Sequence, residues 1–403
     1  MRELLAAAIC LGFILPAYAA DTTNPGLLFS QGQFDEARAA NASVPATSPD
    51  YGTALRRLGT IALYGNNLED ADKYFRLALT RDPADTKAEV LLAESASRQG
   101  KFGEAADWFA KAGKPQRAVE FAAFGDALPY RIVSRANRAE VPFVQTDPLP
   151  ALLASVNGHE GLFLIDTGGP EIALDSAFAA SAGIGAAAGV PGVQGTFAGG
   201  KQAPVSFGRI GKFSLGTLDV ADVPAVLLDT KAYASVAGGK PVAGVIGTQF
   251  LSRFLATIDY PEGKLVLEPR DAFPPNGVQL PFWLVGDHFM LTKGRLNGGH
   301  AQMFFVDSGL AGFAFTGPAS TLADAGISVP VPTGGDEAPV FTIASLSLGD
   351  LQAKNLQGLY GPFPPSLETS LGVHVGGIVS HAFFRPYAIS FDFKRMHIVM
   401  RAP

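Results

Sequence analysis

Two hydrophobic rhythms divide the chain. Between residues 51 and about 125, Ala and Leu recur at helical spacing with charged residues between them. That pattern predicts helices, each with one apolar stripe. The stretch also repeats itself. Leu58, Gly59, Ala71, Phe75 and Ala78 return thirty-four positions later as Leu92, Ala93, Ala105, Phe109 and Ala112, with a weaker half-unit around Phe34 to Ala37. Each unit reads as a helical hairpin whose apolar face needs a neighbour. A further helix over 116–124 either caps the stack or leaves that task to the rest of the chain.

After about residue 130 the rhythm shortens. Apolar runs of five to eight residues are punctuated by Gly, Pro and Asn, which predicts antiparallel β structure. A second internal repeat lies here. Val156-Asn157-Gly158 precedes Leu162-Phe163-Leu164-Ile165-Asp166-Thr167-Gly168, and Leu296-Asn297-Gly298 precedes Met303-Phe304-Phe305-Val306-Asp307-Ser308-Gly309. Each Asn-Gly predicts a hairpin turn, feeding a buried strand that ends in Asp-Thr/Ser-Gly. Each copy closes alike, first with Gly244-Val245-Ile246-Gly247 and Ile258-Asp259-Tyr260, then with Gly377-Ile378-Val379-Ser380 and Phe391-Asp392-Phe393. The proline-rich segment 269–281 reads as the linker between the copies. The change of texture near residue 130 predicts a helical part separable from the β part.

Composition narrows the classes. With 47% hydrophobic and only 17% charged residues, the chain has too much apolar matter for disorder. A net charge of −6 leaves no basic footprint, so nucleic acid is not an expected partner. Residues 1–19 read as a signal peptide: Arg2, an apolar run from Leu4 to Leu15, and Ala17-Tyr18-Ala19 at the cleavage position. The expectation is an exported protein, periplasmic or secreted, with no membrane span after cleavage. The single cysteine, Cys10, would leave with the leader, so stability must come from packing rather than disulfides.

The thirty-four-residue period resembles the tetratricopeptide repeat, which implies either a groove for a protein partner or a packing adaptor. The duplicated Asp motif, with its apolar strand before and Gly-containing apolar segment after, resembles the retropepsin-like aspartic proteases. Pepsin-like relatives of that family carry two lobes in one chain. The resemblance covers about residues 140–403. It implies a multidomain protein: a helical domain over 27–128 and two mainly-β, barrel-like lobes over 138–270 and 278–403. It also implies hydrolysis of peptide bonds by water activated between Asp166 and Asp307. Metal-free peptide hydrolysis without a covalent intermediate needs one group to accept a proton and one to donate it. Two close carboxylates sharing a proton do both. Gly168 and Gly309 would permit close backbone approach, and Thr167 and Ser308 match the hydroxyl residues that brace the two loops. Gly247 lies in the segment packed under the first loop.

The family usually has Ala, Ser or Thr after the motif glycine, whereas Gly169 and Leu310 stand here. The missing hydroxyls should raise the carboxyl pKa values. Ser380 replaces the glycine found at Gly247, which makes the second copy the less typical one. Two alternatives stay open: pairing of each lobe with a counterpart in another molecule, and an inactive peptide-binding module or an adaptor acting through its helices. Substrate cover is expected from a Gly-rich hairpin over 192–200, including Gly195, Thr196, Phe197, Ala198 and Gly199, and less clearly from 333–336. Asp259 and Asp392 read as structural strand-end residues. The six histidines show no metal-ligand spacing, and there is no G-x-S-x-G elbow, so neither a cofactor nor a metal is implied.

Overall fold

A computed structural model describes residues 24–125, 127–187, 192–196, 202–328, 338–361 and 365–403. The expected signal peptide lies outside them. Seven helices come first: Pro25–Ser30, Phe34–Ala42, Tyr51–Tyr64, Leu68–Arg81, Thr86–Arg98, Phe102–Lys111 and Pro115–Ala122. Asn and Asp side chains cap some of them. Asn67 accepts from the Asp70 N–H, and Asp85 accepts from the N–H groups of Lys87 and Ala88. The small repeat positions have a steric cause. A Cβ on Gly59 would lie 2.6 Å from the Phe75 ring, so the two helices of that hairpin cross where one side chain is absent. No helix among the described residues is long and apolar enough to cross a membrane.

The β part contains one strand order twice. Ala151–Val156 pairs antiparallel with His159–Ile165, which runs parallel to Gly244–Ile246. That strand is antiparallel to Ile172–Asp175, which is parallel to Leu218–Leu228. Leu218–Leu228 is antiparallel to Gln202–Leu215, which closes onto Ala151–Val156. The second circuit runs Phe289–Leu296, Gln302–Val306, Gly377–Val379, Phe315–Gly317, Leu351–Tyr360, Val340–Leu348 and back to Phe289–Leu296, with the same sequence of parallel and antiparallel contacts. Closure removes exposed sheet edges. Both Asn-Gly turns have left-handed backbone at each residue, with φ of 51° and 89° at Asn157-Gly158 and 48° and 74° at Asn297-Gly298. Each Asn side chain also accepts an N–H from the closing strand, of Lys212 or Ser345, and donates to a helix-end carbonyl, of Ala182 or Ala325.

The two circuits are joined by a further antiparallel sheet. Its order is Val278–Pro281, His397–Arg401, Ala388–Asp392, Phe254–Asp259, Lys264–Pro269, Ala139–Gln145. The central pair sets Ala256 against Phe391 and Ile258 against Ile389, with the Thr257 and Ser390 hydroxyls hydrogen-bonded at 2.7 Å. The expected 269–281 linker is therefore shorter. Lys264–Pro269 and Val278–Pro281 are paired strands at its two ends, because their apolar residues find partners in this sheet.

The helices do not form a separate body. Leu28, Phe34, Ile61, Tyr64 and Phe75 share one buried cluster with Val285, Leu291, Met303, Phe305, Val373 and Val375 of the β part. The Tyr64 hydroxyl donates to the Leu371 carbonyl at 3.0 Å, and Arg98 donates to the carbonyls of Leu284 and Gly286. This shared core runs against the expected separability: the apolar face left open by so short a helical stack is covered by the β strands.

Candidate active site

The site grows from two strand ends. His159–Ile165 and Gln302–Val306 each run parallel to a short closing strand. The next backbone N–H continues the ladder, Asp166 to Ile246 at 3.1 Å and Asp307 to Val379 at 3.0 Å. The chain then turns sharply. Asp166 accepts the Gly168 N–H at 2.8 Å, and Asp307 accepts the Gly309 N–H at 2.7 Å. The turns face each other. A Cβ on Gly168 would lie 2.5 Å from Asp307 Oδ2, and one on Gly309 would lie 2.2 Å from Asp166 Oδ1. Each motif glycine thus makes room for the carboxylate of the opposite loop.

The structure brings Asp166 and Asp307 together within one chain. Both are half-buried, and each carboxylate lies against the motif glycine of the opposite loop. Burial first, then the charge of Asp166, push the Asp307 carboxyl well above its ordinary range, against the N–H bonds from Gly309 and Gly168. Thr167 and Ser308 tie the loops. The Thr167 N–H donates to Ser308 Oγ at 3.0 Å, and the Ser308 N–H donates to Thr167 Oγ1 at 2.9 Å. The hydroxyls donate onward to the Val306 and Ile165 carbonyls.

Gly247 sits under the first loop, where a Cβ would meet the Glu171 carbonyl at 2.2 Å. Next to it, the Thr248 hydroxyl donates to the Thr167 carbonyl at 2.7 Å. The second loop is held differently. Ser380, fully buried, donates its hydroxyl to the Asp307 carbonyl and accepts the Leu310 N–H at 3.0 Å. Sequence reasoning took Ser380 as a defect and passed over Thr248. A hydroxyl residue at or beside the closing glycine in both copies was the available signal.

Three other side chains were missed. Tyr233, on the short helix Lys231–Val236, has its hydroxyl pushed up to about 12 by burial and then by the charges of Asp166 and Asp307. Tyr260 is raised by burial first and then by the charge of Asp307, and lies 5.2 Å from the His381 ring. His381 in turn binds Asp147 at 2.9 Å, and Arg385 clamps the same carboxylate. Asp259 and Asp392 are strand-end residues, paired with Arg401 and Arg395. Of the expected cover, Gly195 and Thr196 end the strand Val193–Thr196, which pairs with Gln202–Leu215. Phe197, Ala198 and Gly199, and residues 333–336, lie outside the described residues.

Residues 152–250 match the family model described as aspartyl protease. The matched span contains Asp166, Thr167, Gly168 and Gly247, and it covers one strand circuit, an aspartyl-protease-like domain. No curated protein matches the chain.

Proposed function

We propose that the chain is an aspartic-type endopeptidase in which Asp166 and Asp307 jointly activate a water molecule against a peptide carbonyl. The observation that carries this reading is the pair itself. Two turns with the same internal N–H to carboxylate bond set each carboxylate against the opposite loop, and burial with the charge of Asp166 pushes the Asp307 carboxyl well above its ordinary range. The two strand circuits are then tandem lobes of one enzyme, each supplying one acid.

In the working state the pair holds one proton, favoured on Asp307 by burial. The ionised partner accepts a proton from the bound water as its oxygen attacks the carbonyl carbon. The Asp307 proton passes to the carbonyl oxygen, giving a neutral tetrahedral diol. Collapse breaks the C–N bond and returns a proton to the leaving nitrogen. The Thr167–Ser308 lock keeps the two oxygens in register without moving parts. The substrate is an extended peptide segment, since cleavage between two lobes requires chain on both sides of the scissile bond. We read the protein as exported, from residues 1–19, and its helices as tetratricopeptide-like, with a protein partner or a packing role.

Incubation with a diverse peptide pool, analysed by mass spectrometry, tests the proposal. Cleavage by the purified protein that disappears in Asp166→Asn and in Asp307→Asn is expected. A pool left intact between pH 3 and 8, as about the range over which such pairs titrate, would favour the peptide-binding alternative.

A further inference from the structure

Away from the carboxylate pair, a cavity of about 50 Å³ lies where the helices meet the β part. Glu94, Arg98 and Arg117 line it from the helices, and Arg253, Arg270 and Asp287 from the β part. We infer that this cavity binds a small oxyanion, of the phosphate, sulfate or carboxylate type, gripped chiefly by Arg253 and Arg270.

Three observations carry the inference. The first is unmet donors. The Nε atoms of Arg253 and Arg270 are both buried without an acceptor among the described residues. Buried guanidinium N–H groups are rarely left so, because the desolvation is uncompensated. The second is which cations are already engaged. Arg98 is spent on the carbonyls of Leu63, Leu284 and Gly286, and Arg117 on Glu120 at 2.9 Å. Arg253 lies over the Tyr130 ring at 4.3 Å and reaches one carbonyl. Arg270 makes no side-chain hydrogen bond or ion pair among the described residues. The third is the charge balance. Four guanidinium groups and two carboxylates line the cavity; Glu120 takes up Arg117 from outside the lining and Asp287 is bonded to His288 at 2.6 Å, which leaves Arg98, Arg253 and Arg270 against Glu94. Burial, outweighing the charge of Arg98, raises Glu94 to about 7, so this carboxylate offers only part of a charge near neutrality.

The space suits the ligand. A water needs roughly 10–15 Å³ of such space, so the cavity takes a few waters or one small oxyanion. Planar guanidinium forks match such oxygens bidentately. An oxyanion here would bridge the helices and both ends of the strand run Phe254–Asp259 to Trp283–Val285, tying the three regions at one point.

The test is calorimetric titration of the full chain with inorganic phosphate, then sulfate, then acetate, at pH 6.5 and constant ionic strength. Saturable binding at one site per chain is expected for at least one of the three, accompanied by a rise in melting temperature. Arg270→Gln, which breaks no ion pair among the described residues, should weaken binding roughly tenfold or more, the worth of one charge-assisted hydrogen bond. Absence of saturable binding by the wild-type chain for all three ions would overturn the inference and leave a water-filled cavity. Equal affinity in wild type and in the Arg253→Gln, Arg270→Gln double variant would overturn the assignment as well.

Discussion

Thr167 and Ser308 each donate a backbone N–H to the other's side-chain oxygen, across 141 positions of sequence. Both residues are buried, so neither N–H can turn to water instead. Thr167→Val keeps the shape and removes one acceptor. It leaves the Ser308 N–H unsatisfied and should cost about 1–3 kcal/mol. Ser308→Ala should cost a similar amount. The two are one network, so the double variant should lose clearly less than the sum. Urea denaturation of the four proteins measures this directly; strictly additive losses would mean that the loops are held by something else.

The raised Asp307 carboxyl has two leading causes, burial and the charge of Asp166. Asp166→Asn removes the second and keeps the first. The Asp307 titration should therefore move down, toward but not to the ordinary carboxylate range. Carboxyl-carbon NMR of the variant, compared with wild type, reads this without requiring activity. An unchanged or higher titration point would show that the two groups do not couple. Burial and mutual charge would move the pH window of any peptidase activity upward in the same sense.

What was legible in the sequence was what repeats at short range. The Asn-Gly turns, the strands ending at Asp166 and Asp307, and the helical hairpins each follow from a local pattern, and the chain adopts them. Contacts made across long separations were not legible. Val278–Pro281 looks like linker because its partner, His397–Arg401, lies over a hundred residues away. The helices look autonomous because nothing local reveals that Phe34 meets Trp283, with ring centroids 5.1 Å apart. Ser380 looked like a loss because only the fold shows which backbone groups its hydroxyl reaches.

Ser380 should accordingly matter for turnover. Ser380→Ala leaves the Leu310 N–H without its acceptor and frees the loop that carries Asp307. A carboxylate displaced by a fraction of an ångström loses rate rather than affinity. The expected result is a kcat reduced roughly ten- to a hundredfold with KM little changed. Steady-state kinetics on a peptide found in the pool assay would check it. A change confined to KM would place Ser380 in substrate binding instead.

The chain beginning at residue 129, without its helices, should not fold stably. It would expose Val285, Leu291, Met303 and Phe305, which the helices now cover. It would also lose Arg98, which satisfies two carbonyls of the β part. Aggregation or a non-cooperative melt is expected. A soluble fragment with a sharp thermal transition would restore the simpler view of two independent parts.

The junction between helices and β part should weaken as pH rises. Burial, then the charge of Asp287, raises Glu171 to about 8, and burial raises Glu94 to about 7, both from an ordinary 4.5. Arg117 faces both groups and Arg98 faces Glu94, without offsetting the burial. Between the unfolded and folded values the native state holds more protons than the unfolded one. Stability from these groups is therefore full below about pH 4.5 and is lost as pH climbs through 7 to 8. At about 1.4 kcal/mol per pK unit, the loss amounts to a few kcal/mol per group. Asp287 acts in the opposite sense. Burial raises it, but the charge and hydrogen bond of His288 prevail and hold it near 2. Its contribution disappears only in strong acid and leaves the window from pH 5 to 8 untouched. Urea denaturation at pH 5 and pH 8 should thus show a fall in stability with rising pH. Glu94→Gln and Glu171→Gln, which carry no charge to bury, should each flatten the slope. If stability instead rises over that range, or the double variant keeps the wild-type slope, these two carboxylates are not the titrating groups.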